Sequence, residues 1–217
     1  AVNAEGVVVE IGVNVSEIPA GGYVISGHGT GRDFIRSNIV LGATVVLDEA
    51  DRVIRPAILW NDGRTAKQVE YLNGVIGKQK LSQLTANIAF AGFTAPKLLW
   101  MKENEPENFG KIAKIMLPKD YINYILTGLH SCDYSDASGM LLLDVANKCW
   151  SREMLDLCGI SESQMPRLFE SFDCIGTVKP EIANRLGIGC NVKVAAGAGD
   201  NAAAAIGTGT VGEGGCN

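Results

Sequence analysis

Residues 191–206 read NVKVAAGAGDNAAAAI, and this stretch decides the fold. Alternating Val192 and Val194 make a short strand. Gly197-Ala-Gly199 then breaks the extended run, and Asp200-Asn-Ala-Ala-Ala-Ala-Ile reads as a helix with Asp200 as its cap. A strand that runs through small residues into a helix is one unit of a layered α/β protein. The glycines let a ligand approach the backbone closely. The helix N-terminus favours an ionised carboxylate at position 200. Asp200 admits two readings. It is an ordinary cap, or it is a base that takes a hydroxyl proton during phosphoryl transfer, where positioning matters more than base strength.

Composition agrees with an α/β class. Of the 217 residues 47% are hydrophobic, 26 are Gly, and only 6% are aromatic. The net charge of −5 and the absence of a basic stripe argue against a nucleic-acid surface. No apolar run approaches the roughly 20 residues that span a bilayer, so no membrane partner is expected. The six cysteines (132, 149, 158, 174, 190 and 216) contain no C-x-x-C pair, and there are two histidines. That pattern predicts reduced thiols in the cytoplasm and no metal site.

Working upstream, Pro180 opens a helix that Gly187 closes, and Ser161-Glu-Ser-Gln164 has the form of a capping box. Ser151 is expected to cap the helix SREMLDLC, which Gly159 ends. Residues 118–127 predict an amphipathic helix stopped by Gly128, and 95–104 another with Pro96 in its first turn. Val69, Leu72 and Ile76 share one face of a helix over 64–77 that Gly77 ends. TVVLD (44–48) and RVIRPAILW (52–60) read as strands on either side of a turn, and 6–13 and 22–26 as short strands.

The segment Gly92-Phe-Thr94-Ala-Pro-Lys97-Leu-Leu-Trp100-Met-Lys-Glu103-Asn104 fits the FGGY carbohydrate-kinase pattern position by position. Around it stand Trp60-Asn-Asp62-Gly-Arg64, Leu117-Pro-Lys119-Asp120-Tyr121, Leu126-Thr-Gly128, Asp133-Tyr-Ser135-Asp136-Ala-Ser-Gly139 and Gly197-Ala-Gly-Asp200-Asn201, in the family's order. Over residues 44–217 the chain therefore resembles the FGGY family, nearest its xylulose-phosphorylating branch. The resemblance implies an actin-like, ribonuclease-H-like α/β fold with the active site between two domains. Residues 44–217 would be the sugar-binding N-terminal domain, with the C-terminal ATP-binding domain absent.

The resemblance implies Asp200 as the catalytic base and Asn201 as its neighbour at the sugar. Trp60 would wall the pocket, with Asp62 and Arg64 ordering its loop at the substrate. The alternatives are that Trp60 is core and that Asp62 and Arg64 hold a structural turn. Lys97 and Trp100 are expected to maintain the fold, with Trp100 buried. Asp133, Ser135, Asp136 and Ser138 shape the cleft or form a capped turn. The implied co-reactants are ATP and Mg²⁺, the substrate a ketopentose, and a homodimer is compatible with an exposed half-cleft.

Residues 1–43 depart from the family. They lack its Asp-x-Gly-Thr phosphate loop, the nearest stretch being Gly27-His-Gly-Thr-Gly31. Asn38-Ile-Val-Leu-Gly42 stands where the xylulose branch has Gln-Met-His-Gly, and His28 is too far upstream to substitute. Residues 1–43 are thus expected to be an atypical or degraded N-terminal segment, such as a frameshifted, deleted or chimeric start would leave. The isolated chain is expected to turn over negligibly, or to serve only as a sugar- or partner-binding fragment. Sister kinases for gluconate, ribulose or glycerol are the alternative specificities.

Overall fold

The computed structural model describes residues 44–210. The expected strands at 6–13 and 22–26, the Gly27–Gly31 loop and the Asn38–Gly42 segment lie outside the described residues. TVVLD forms strand β1 (Val45–Leu47), all three residues buried. The Asp48 carboxylate accepts the backbone N–H groups of Ala50 and Arg52, both at 2.9 Å, which closes the turn after it. The RVIRPAILW stretch is not a continuous strand. It touches β1 only through isolated bridges, Leu47 to Val53 and Thr44 to Ile58, because Pro56 removes a ladder donor.

The helix expected over 64–77 begins with a 3₁₀ turn (Gly63–Thr65), continues as α1 (Ala66–Glu70) and widens into a π-helical stretch (Tyr71–Gly77). Gly77 ends it with φ +97°, and α2 (Lys78–Thr85) starts at once. Leu72 is buried and Val69 and Ile76 pack beside it, so the expected face is the one that meets the core.

The family-pattern segment forms α3 (Thr94–Asn104), followed by α4 (Pro106–Phe109) and β2 (Lys114–Met116), which pairs antiparallel with β1. Helix α5 (Pro118–Thr127) ends on Gly128 in the left-handed region, as its sequence predicts. Next come β3 (Ser131–Asp133), α6 (Tyr134–Ala137), the hairpin β4 (Leu143–Asp144) with β5 (Cys149–Trp150), and α7 (Arg152–Cys158). Ser151 precedes α7 without a side-chain cap bond, whereas the capping box at Ser161 and Gln164 is formed. Strand β6 (Arg167–Phe169) pairs parallel with β3. Strand β7 (Cys174–Thr177) pairs antiparallel with β8 (Lys193–Ala195) across α8 (Pro180–Leu186), and α9 (Asp200–Thr208) completes the order.

Among the described residues the strands pair two by two, and no larger sheet forms. Stability comes from two main apolar clusters. The larger joins Leu72, Leu81, Leu98, Met101, Ile115, Met140 to Leu143 and Met154. The smaller joins Leu126, Ile175, Val178, Ile182, Val194 and Ala196. Helix α5 connects them, since Leu117 just before it lies in the first and Leu126 near its end in the second. No helix among the described residues is long and apolar enough to cross a membrane.

Lys97 is fully buried. Its ammonium donates to the Gly92 carbonyl and to that of Phe93 (3.3 Å), tying α3 to the loop before it. Burial pulls its pKa down to about 8. Trp100 is half-buried rather than buried; the guanidinium groups of Arg55 and Arg64, not core side chains alone, lie over its ring at 5.9 and 4.9 Å.

The Lys97 shift has a definite sign for stability. Between about pH 8 and the ordinary lysine value of 10.5 the unfolded chain holds a proton that the folded chain has released. Unfolding free energy therefore rises with pH across that window and carries the full penalty below it. Relative to Lys97→Met, the wild-type chain is expected to gain on the order of 1–3 kcal/mol between pH 7.5 and pH 10 in urea unfolding. A difference that does not change with pH rules this out.

Candidate active-site cleft

The polar centre of the structure is the ammonium of Lys119, in the first turn of α5. It pairs with Asp120 at 2.5 Å, with Asp133 at 3.0 Å and with Asp136 at 3.7 Å. Asp120 and Asp133 are fully buried. Burial alone would strip the proton from such a lysine, but the Asp120 and Asp133 carboxylates outweigh it and hold Lys119 above the usual lysine range.

Asp133 organises the start of α6. Its Oδ2 accepts the N–H groups of Ser135 (3.0 Å) and Asp136 (3.3 Å), and the hydroxyls of Ser135 (2.5 Å) and Ser171 (3.0 Å). Burial opposes the Asp133 charge, yet the Ser135 hydroxyl and the Lys119 ammonium outweigh it and leave the carboxyl below its usual range. The Ser135 oxygen in turn accepts the Gly199 N–H at 3.0 Å.

This network fixes the segment from β8 to α9. Lys119 donates to the Ala196 carbonyl at 3.3 Å, and Asn123 donates to the same oxygen at 2.9 Å. The N–H groups of Ala196 and Gly197 donate to the carbonyls of Asp173 and Ser171, at 2.9 and 3.0 Å. Gly197 has φ +89°, and a Cβ there would meet Lys119 Cδ at 2.9 Å. Both the backbone and the lysine stem therefore require glycine.

Asp200 is the first residue of α9, and Gly199, not Asp200, occupies the cap position. The difference arises because Ser135 holds Gly199 in extended backbone. The Asp200 Oδ1 accepts the N–H of Asn201 at 2.8 Å, and its side chain is exposed.

Asp200 and Asn201 line a cleft of about 740 Å³ with Trp60, Lys119, Ser135, Asp136 and Ser138. Trp60 is 67% exposed, so the core reading of it does not hold; it stands at the cleft edge. The Gly92 backbone lies so close to Trp60 that a Cβ would come 3.1 Å from the Trp60 carbonyl oxygen. Asp62 and Arg64 do not line the cleft. Asp62 accepts the Arg64 backbone N–H at 2.9 Å and pairs with its guanidinium at 2.7 Å, so the two hold the turn after Trp60.

Both readings of the 133–138 segment are realised: Asp133 caps the turn, while Ser135, Asp136 and Ser138 face the cleft. Lys119 carries no site role that its neighbours in sequence disclose. Apart from the adjacent Asp120, its partners lie farther along the chain, up to 77 residues away at Ala196, and only folding brings them together.

Among the described residues no group of three or more His, Cys, Asp or Glu could hold a metal ion. The Lys119 ammonium already faces the carboxylates at the cleft. Residues 44–210 therefore offer no ready-made ligand set for a resident Mg²⁺.

The profile of the FGGY family of carbohydrate kinases, N-terminal domain, matches residues 40–207. The chain belongs to this family. It is 50% identical over 169 residues to the xylulose kinase of Lactococcus lactis subsp. lactis, and 48% identical over 170 residues to that of Escherichia coli strain K12. Each alignment covers 78% of this chain and 34% of the relative, so the chain spans about a third of the length of these relatives. The crystal structure of a xyloylose kinase from Brucella ovis superposes with a TM-score of 0.73 at 41% identity, covering 81% of this chain and 37% of that one. This places the described residues within the actin-like kinase fold.

The cleft loop generates a paired prediction. Gly197→Ala is expected to lower unfolding free energy by about 1–3 kcal/mol, from positive φ and the Lys119 contact. Gly207→Ala, inside α9 with nothing near its Cβ, is expected to raise it by roughly 0.5–1 kcal/mol. Equal effects in chemical denaturation would show that the loop is not constrained as described.

Proposed function

We propose that this chain is the sugar-binding part of an enzyme that transfers a phosphoryl group from ATP to the terminal hydroxyl of D-xylulose. Asp200 accepts the hydroxyl proton, and Asn201 and Trp60 contact the sugar. Asp62 and Arg64 act at one remove, by holding the turn that presents Trp60. The observation that carries this reading is the cleft itself: an exposed carboxylate at a helix start, an amide beside it, and an indole at the edge. A small polyhydroxylated ligand needs a few fixed polar groups and one apolar wall, and this cleft supplies both. The identity to xylulose kinases supports the ketopentose as the substrate class.

Residues 44–217 form the sugar-binding unit in this reading, and ATP with Mg²⁺ is held by residues outside 44–210. The cysteines of the described residues are all unpaired, which supports a reducing, cytoplasmic setting.

A chimera tests the assignment. Residues 44–210 are inserted in place of the matching segment of the Escherichia coli xylulose kinase, and ADP release is followed with D-xylulose, D-gluconate and glycerol. The chimera is expected to prefer D-xylulose, and Asp200→Asn within it to lower kcat by about 10²–10⁴-fold with folding unchanged. Undiminished turnover in the Asp200→Asn chimera contradicts the proposed base.

A further inference from the structure

The Lys119 cluster contains one pair that differs from the others. Asp120 and Asp133 are fully buried and lie within direct contact of the ammonium. Asp136 is 3.7 Å away, beyond the usual range of a charge-assisted hydrogen bond, and its side chain is 29% exposed. Both Lys119 and Asp136 line the cleft that holds Asp200. The loosest contact of the cluster is thus the one that opens toward the substrate space.

We propose that Lys119 and Asp136 together take one hydroxyl of a short polyol: the lysine turns to the hydroxyl oxygen the N–H that otherwise makes its long 3.3 Å contact to the Ala196 carbonyl, which Asn123 still satisfies, and the aspartate accepts the hydroxyl proton, so that the sugar is oriented beside Asp200. This rests on the kinase reading of the cleft and adds two residues to it. A hydroxyl is both donor and acceptor, so it satisfies a cation and a carboxylate at once. A methylene in the same place satisfies neither. The pair is placed to fix which carbon of the sugar faces Asp200. A Cβ on Gly199 would come within 3.4 Å of Asp136 Cα, so the residue that precedes Asp200 packs directly on Asp136.

The electrostatics agree with an unfilled acceptor. Burial pushes the Asp136 carboxyl up to about 6; Lys119 opposes this, while Asp120, Asp133 and Asp200 add to it. The Asp136 backbone N–H is bound by Asp133, so removing the side-chain charge leaves α6 anchored.

The test uses the 217-residue chain with ¹³C-labelled aspartate carboxyls and ¹⁵N-labelled lysine. D-xylulose, D-ribulose, D-gluconate and glycerol are titrated in by NMR, with calorimetry alongside. The pair predicts that a bound polyol moves the Asp136 Cγ and Lys119 Nζ signals together. It also predicts that Asp136→Asn weakens that polyol about tenfold or more while the fold persists by circular dichroism. If D-xylulose gives both results, pair and substrate reading stand together. If only another polyol does, the pair stands and the D-xylulose reading fails. If D-xylulose binds with the Asp136 signal unmoved and with unchanged affinity in Asp136→Asn, the pair is overturned and the substrate reading survives. If no polyol moves Asp136, the pair is overturned.

Discussion

The ammonium of Lys119 is the point on which the cleft depends. A lysine with three-quarters of its side chain covered is costly unless it is paired, and here Asp120 and Asp133 supply the pairing. The same charge donates to the Ala196 carbonyl, and Asp133 reaches Gly199 through the Ser135 hydroxyl. One buried charge cluster thereby sets the path of the backbone from the end of β8 to the start of α9. Asp200 is exposed and its carboxylate accepts from its own neighbour Asn201, so its position is inherited from this path rather than from packing of α9. That helix buries none of its residues among those described.

The two apolar clusters explain why the charge cluster sits where it does. Helix α5 spans them, and Lys119 and Asp120 fall at its first turn, where the larger cluster gives way to the smaller. Asp120 accepts the Leu117 N–H at 3.2 Å and so closes the helix start while pairing with Lys119. A second buried lysine, Lys97, fixes the loop beside Trp60 by bonding the Gly92 and Phe93 carbonyls. The cleft is thus bounded by two cation-anchored backbone segments, a rigid arrangement suited to orienting a flexible polyol.

Much of this was legible in the residues. Glycine stops at 77, 128, 159 and 187 read directly, because a left-handed terminus favours the residue without a Cβ. The motif from Gly92 to Asn104 gave the family, and the strand–glycine–helix reading of 191–206 singled out Asp200, with Asn201 beside it, and both line the cleft. Other features were not legible. RVIRPAILW has strand composition, but Pro56 and the lack of a partner leave only bridges. Trp100 has the character of a core residue, yet two arginines distant in sequence cover it. Asp62 and Arg64 could not be assigned between turn and pocket, since their spacing suits either. Lys119 needed partners from β3, α6 and the 195–199 segment, and no local pattern reveals a charge satisfied at such range.

Amide hydrogen exchange at Ala196, Gly197 and Gly199 reads the central claim most directly, comparing the wild-type chain with Lys119→Met. The account predicts that these three amides are protected in the wild type and lose about tenfold or more of that protection in the variant, while the amides of α3 keep theirs. Equal protection of the three amides in both proteins would show that the backbone beneath Asp200 is held by something other than the Lys119 charge.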